Sequence, residues 1–223
     1  MIDFTAARRM MVDGQIRVSD VTDLRLIAAM LELPRELFVP QSRAALAYLD
    51  FDIAVTAETP GAEARHLLKP VVLAKLIQAA GVEEGDSVLD VGCATGYSAA
   101  VLAKLAGSVV ALEQDATLAR HARENLSAMP AANAEVVTGP LVAGWPGRAP
   151  YDVILLGGAV EVPPESLFHQ LKEGGRLVVV QGRTPNGRAM LYRCADGDVT
   201  GWPIFDAAAP TLPGFAAPAV FVF

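Results

Sequence analysis

The chain has 223 residues, of which 52% are apolar and only 6% aromatic, and its formal net charge is −7. That length suits one domain, or one domain with an appendage, and the composition is that of a chain able to bury a core rather than of a disordered or fibrous one. The acidic balance gives no support to a nucleic-acid-binding surface, and no apolar run approaches the ~18 residues of a membrane span. Cys93 and Cys194 offer neither a zinc spacing nor a disulfide framework, and no two of His66, His121 and His169 stand at metal-ligand spacing. The N-terminus lacks the apolar core of a signal peptide, so a cytoplasmic protein without metal is expected.

Phe4, Ala7, Met10, Met11 and Ile16 recur at helical spacing. Leu24, Ile27, Ala28 and Leu31 give a second amphipathic face, closed by Leu33-Pro34, and a third short helical stretch runs to Tyr48. These segments read as a helical lid or cap, with plain edge packing as the alternative. Residues 50–66 are the least regular, and Thr59-Pro60-Gly61 is a strong turn signal. Pro70 opens a helix over 71–80, with Val72, Leu73, Leu76 and Ile77 inward and Gly81 as its C-cap. Strands over 87–91, 108–113, 135–138, 152–156 and 175–181 then alternate with helices over 97–106 and 116–129 and near 163–171. Such alternation predicts an α/β fold with a mainly parallel, doubly wound sheet covered on both faces. Asp196-Gly197 between apolar runs predicts a hairpin, so the C-terminal strands are expected to be antiparallel, closing on a run at 219–223. Two parts are expected, a cap and loop over 1–70 and a core over 71–223, forming one compact unit.

The chemistry concentrates in Asp90-Val-Gly92-Cys93-Ala94-Thr-Gly96-Tyr97. A short apolar strand runs there into a small-residue turn and straight into a helix. Glycines allow the tight turn and let a ligand touch backbone, while the helix N-terminus presents free N–H groups. Glu113 ends the next strand about 20 residues past the first glycine, the distance at which a β-α-β unit delivers a carboxylate to ribose hydroxyls. A nucleotide-like cofactor is therefore expected, against the alternative of an ordinary turn with no ligand. Ala94 and Tyr97 break the Gly-x-Gly-x-x-Gly dinucleotide fingerprint, which makes an oxidoreductase a distant alternative.

Asp90-x-Gly92-x-Ala94-x-Gly96 resembles the first motif of S-adenosylmethionine-dependent methyltransferases, with alanine at the middle glycine. Nearly the whole chain resembles the protein-L-isoaspartate O-methyltransferase family. The resemblance is carried by 11–17, Arg35-Glu-Leu-Phe38-Val39-Pro40, 46–50, the glycine motif, Gly144-Trp145-Pro146, Ala149-Pro150-Tyr151-Asp152 and 171–178. It implies a Rossmann-like methyltransferase fold, S-adenosylmethionine as donor and S-adenosylhomocysteine as product. It also implies an isoaspartyl or D-aspartyl carboxylate of a damaged protein as acceptor, and so a role in protein repair. Asp90, Gly92, Cys93, Ala94, Gly96 and Tyr97 would then line the cofactor. Glu113 would take its ribose hydroxyls, with Gln114, Gly139 and Pro140 on the adenine side.

Two departures fall on this pattern. The family's Gly-Gln-Thr-Ile-Ser-Gln-Pro stands here as Ala64-Arg65-His66-Leu67-Leu68-Lys69-Pro70, which puts His66 at the threonine and Leu68 at the serine. His66, helped by Arg65 and Lys69, is a candidate base or carboxylate binder; the alternative is a solvated loop, and the catalytic residue is otherwise unassigned. Pro140 replaces the acid that faces the adenine amino group, so weakened cofactor binding is expected. The resemblance thus leaves open a member, monomeric or homodimeric, that methylates an isoaspartyl or another acceptor. A lapsed member that serves as a binding or regulatory module is the alternative.

Overall fold

The computed structural model describes residues 2–58, 64–129 and 133–217, so the turn expected at 59–61 and the run at 219–223 lie outside the described residues. Asp3 accepts a hydrogen bond from the Ala6 amide and starts α1 (Phe4–Met11), which loosens into a π turn, Val12–Ile16, and a 3-10 turn, Arg17–Ser19. Met11 and Ile16 point inward as their spacing predicts, whereas Met10 is 67% exposed. Asp23 caps α2 (Leu24–Glu32). Its buried face is Leu26, Ile27, Ala29 and Met30, while Leu24 and Ala28, expected inward, face solvent. Most of the residues from 24 to 31 are apolar, so spacing alone does not choose a face and the neighbouring helices decide it. The third helical stretch consists of two 3-10 turns, Arg35–Phe38 and Gln41–Leu46.

The irregular region supplies a small antiparallel hairpin, β1 (Ile53–Ala54) paired with β2 (His66–Leu67). Pro70 occupies the first turn of α3 (Pro70–Ala80), and Gly81 ends it at φ 58°. Free donors at its start are satisfied from the cap loop: the Lys69 amide donates to Asp52 and the Val71 amide to Asp50.

Then follow β3 (Ser87–Val91), α4 (Tyr97–Ala103), β4 (Ser108–Glu113), α5 (Ala116–Ser127), β5 (Ala134–Thr138), β6 (Tyr151–Val160), α6 (Glu165–Phe168), β7 (Leu171–Gln181), β8 (Arg188–Ala195) and β9 (Asp198–Asp206). They form a seven-stranded sheet in the order β5-β4-β3-β6-β7-β8-β9. The first five strands of that order are parallel, and β8 and β9 add as antiparallel neighbours. Asp196 and Gly197, both at positive φ, make the predicted hairpin. The helix expected near 163–171 is a single turn. Leu171 pairs beside Tyr151 and Lys172 reaches Asp152, so this stretch is already strand.

Side chains alternate across the sheet. Val88, Val109, Val153 and Val178 meet α2, α3 and α4, while Leu89, Val110, Ile154 and Leu177 meet Leu167, Leu212 and Phe215 on the other face. Cap residues Met11, Ile16 and Met30 belong to the first of these cores. The cap is also fastened by Arg35, which is fully buried. Its Nε donates to Ala47 O and its Nη2 to Leu68 O, both at 2.8 Å, and its guanidinium lies 4.6 Å from the Tyr97 ring centroid. Arg35→Ala would empty this space and strand two buried carbonyls, so a loss of about 3 kcal/mol is expected in denaturant unfolding. A loss under about 1 kcal/mol, the net value of one ordinary hydrogen bond, would show that Arg35 does not anchor the cap.

Candidate active site

The parallel strands end together at their carboxyl edge, and β3 delivers its chain there into a tight turn. Gly92 (φ 79°), Ala94 (φ 52°) and Gly96 (φ 95°) all take left-handed backbone angles. A side chain at Gly92 would collide with Leu212 and Arg65, and one at Gly157 in β6 would stand 2.6 Å from the Gly92 carbonyl. Ala94 bears a left-handed conformation that costs a residue with a Cβ about 1 kcal/mol. What holds it is its amide, which donates to Glu113 Oε2 at 2.9 Å.

Glu113 is completely buried at the end of β4. Its Oε1 accepts from the amides of Gln114 and Asp115, and its Oε2 accepts from Ala94 and from Arg65 Nη2 at 2.8 Å. A buried charge surrounded in this way is tolerable because donors replace the lost water. Asp90, equally buried in β3, accepts from Ser98 Oγ at 2.6 Å, and its Oδ1 has no partner among the described residues. Burial is the main cause that pushes its pKa up to about 7, with the nearby Glu113 charge adding to it.

The structure therefore brings Asp90, Gly92, Cys93, Ala94, Gly96 and Glu113 into one cradle. Gln114 lines a cavity of about 670 Å³ beside it, together with Arg65, Asp115, Glu161 and Leu212. The Cys93 thiol is buried and its pKa is pushed well above the ordinary value, first by burial, which suits a filler and not a nucleophile. Tyr97 turns its ring away into the cap, edge-on to Phe38 at 5.4 Å and under Arg35, so its place at the turn is held by backbone. Gly139 packs against the Trp145 ring, and Pro140 is exposed at the head of a 3-10 turn whose Leu141 reaches the Gly92 face.

The proposed cationic cluster does not assemble as expected. The guanidinium of Arg65 is drawn to Glu113 and to Gly92 O instead of standing beside His66. His66 lines a one-water space of about 10 Å³ with Arg35, Leu68 and Tyr97, and its buried Nδ1 has no partner among the described residues. Burial lowers its pKa, so it is neutral at neutral pH. Leu68, at the place of the family's serine, is buried in the core. Arg35, Ser98, Asp115, Glu161 and Leu212 are among the site-lining residues that the sequence analysis did not single out.

Comparison with known proteins decides the family. Residues 7–201 match the family model described as protein-L-isoaspartate(D-aspartate) O-methyltransferase. The chain belongs to this family. A protein-L-isoaspartate O-methyltransferase from Rhodopseudomonas palustris is 38% identical over 190 residues, covering 84% of each chain. A solved protein-L-isoaspartate O-methyltransferase superposes with a TM-score of 0.79 at 28% identity, over 93% of this chain and 66% of that one. A Plasmodium falciparum protein described as a member of the family, solved in complex with S-adenosyl-L-homocysteine, shares the fold at a TM-score of 0.77 and 16% identity, over 95% of this chain and 99% of that one.

In this protein-L-isoaspartate O-methyltransferase family member the cradle suits S-adenosylmethionine on two observations. Gly92 leaves the turn backbone bare of a side chain, and a buried Asp90 oxygen has no partner among the described residues. The proton on Asp90 can be tested in the absence of ligand. An acid with a higher pKa folded than unfolded binds more protons in the native state, so native stability falls as pH rises from about 3.9 to about 7 and is flat above that. Asp90→Asn removes that fall. The stability of the variant relative to the parent should therefore grow by about 2–4 kcal/mol between pH 4 and pH 8 in denaturant unfolding. Parallel profiles for the two proteins would contradict the assignment.

Proposed function

We propose that the chain is an S-adenosylmethionine-dependent O-methyltransferase that methylates isoaspartyl or D-aspartyl carboxylates in damaged proteins, in the cytoplasm. The observation that carries this reading is the glycine turn between two buried carboxylates, Asp90 and Glu113, in a chain matched to the family over residues 7–201. The relatives' names support the transferase, and nothing in them favours the lapsed alternative. Free, buried Cys93 and Cys194 suit a reducing compartment, and among the described residues no helix is long and apolar enough to cross a membrane.

In this reading residues 71–223 hold the cofactor and 1–70 cover it. Asp90 Oδ1 takes the cofactor's amino group, the turn from Gly92 to Gly96 backs its methionine and ribose parts, and Glu113 takes the ribose hydroxyls. Gln114, Gly139 and Pro140 lie toward the adenine. When bound, S-adenosylmethionine supplies an electrophilic methyl group. The acceptor carboxylate is already ionised at neutral pH, so the protein's task is to align and desolvate it rather than remove a proton. A buried leucine at position 68 and a neutral His66 are compatible with that task, because neither has to act as a base. The test is transfer of isotope-labelled methyl groups to an isoaspartyl peptide and to its ordinary aspartyl counterpart. The expected result is base-labile label on the isoaspartyl peptide alone. Absence of label on it at saturating cofactor would refute the reading.

A further inference from the structure

Glu113 has no acceptor site left for a ligand. A carboxylate offers about four lone-pair directions. Here Gln114 N and Asp115 N occupy Oε1 at 2.9 and 3.2 Å, and Ala94 N and Arg65 Nη2 occupy Oε2 at 2.9 and 2.8 Å. Three of these donors are backbone amides fixed by the turn and by the entry to α5. The fourth sits on the end of a long side chain that comes from the small hairpin. Its backbone is held there, since the Arg65 amide donates to Thr56 Oγ1 and the Val55 amide donates to Arg65 O.

Arg65 also fills space. Its Nη2 lies 3.3 Å from Gly92 O and 3.1 Å from the point where a Cβ on Gly92 would stand, over the bare backbone that the turn leaves for a ligand. Its Nε is buried with no partner among the described residues, so this placement leaves one donor unsatisfied. The side chain has room to leave, because it lines a cavity of about 670 Å³. At this position the family pattern has glutamine, whose neutral amide would hold Glu113 less strongly.

We propose that Arg65 is an internal occupant of the ribose position, which holds Glu113 and covers Gly92 while the site is empty and which the cofactor must displace. The inference rests on the reading of this cradle as an S-adenosylmethionine site. Cofactor affinity is then the difference between two partners competing for one carboxylate, and the empty cradle keeps its shape because its buried charge is never left bare.

Calorimetric titration with S-adenosylhomocysteine tests this without any turnover. Arg65→Gln should bind about tenfold more tightly than the parent, the scale of one competing charge-assisted hydrogen bond. Glu113→Gln should weaken binding by a larger factor in the Arg65→Gln background than in the parent, because only in the parent does losing Glu113 also release the competitor. Equal or weaker binding by Arg65→Gln overturns the proposal. If that variant is too unstable to titrate, Arg65→Met is read by the same criterion, since it keeps an unbranched stem but loses the Nη2 that contacts both Glu113 and Gly92. Binding by the parent and Arg65→Gln with the same Kd overturns the proposal and leaves the cofactor reading standing. No binding by either sinks the cofactor reading itself, and with it the proposal.

Discussion

The carboxylate of Glu113 ties three parts of the molecule to one buried point. It receives the amide of Ala94 from the glycine turn, the amides of Gln114 and Asp115 from the entry to α5, and the guanidinium of Arg65 from the β1–β2 hairpin. Each buried amide left without an acceptor would cost about 1–3 kcal/mol, so the acid is a structural requirement before it is a ligand. It also explains how alanine persists at a left-handed position, since the hydrogen bond from Ala94 to Glu113 compensates a strain of about 1 kcal/mol. Asp115, placed by the same turn, then accepts from Thr117 and Leu118 and caps α5. In the proposed reading scaffold and binding site share one group, and a ligand that uses Glu113 has to enter an arrangement already complete.

The crevice is closed from two sides by elements outside the βα alternation. From the cap, Thr95 Oγ1 donates to Phe38 O and Arg35 donates to Ala47 O and Leu68 O, so the turn and the stretch before α3 are tied to the 3-10 segments. From the C-terminal side, the strip Pro210–Phe215 runs beside the end of β6. The Ala159 amide donates to Pro210 O and the Leu212 amide to Ala159 O, which brings Leu212 over Gly92 and Gly158. The same packing places Leu68 in the core, where a serine hydroxyl would need a partner.

The parts legible from the sequence are those set by neighbours along the chain. The strand, turn, helix and acid from Ser87 to Glu113 follow from small residues, helical periodicity and spacing, and Gly81 and Asp196-Gly197 fall where their backbone freedom is needed. The parallel sheet follows from the alternation itself. What could not be read depends on distant partners. Arg65 and Glu113 lie 48 positions apart, and nothing local says that an arginine in an irregular stretch should turn toward a strand end. The β1–β2 hairpin joins two residue pairs across a long connection, too few for a pattern. The face of α2 was ambiguous because its sequence is apolar nearly all round. The helix expected near 163–171 yielded to strand pairing once Leu171 found Tyr151.

The central claim is that the ribose of the cofactor and the guanidinium of Arg65 share one place on Glu113. The most direct measurement is a crystal structure of the protein with S-adenosylhomocysteine. The account predicts the ligand along Gly92–Gly96, both ribose hydroxyls donating to Glu113, and Arg65 moved beyond hydrogen-bond distance of that carboxylate. A ligand seated elsewhere, or one seated on the turn with Arg65 still 2.8 Å from Glu113 as it is here, would contradict it.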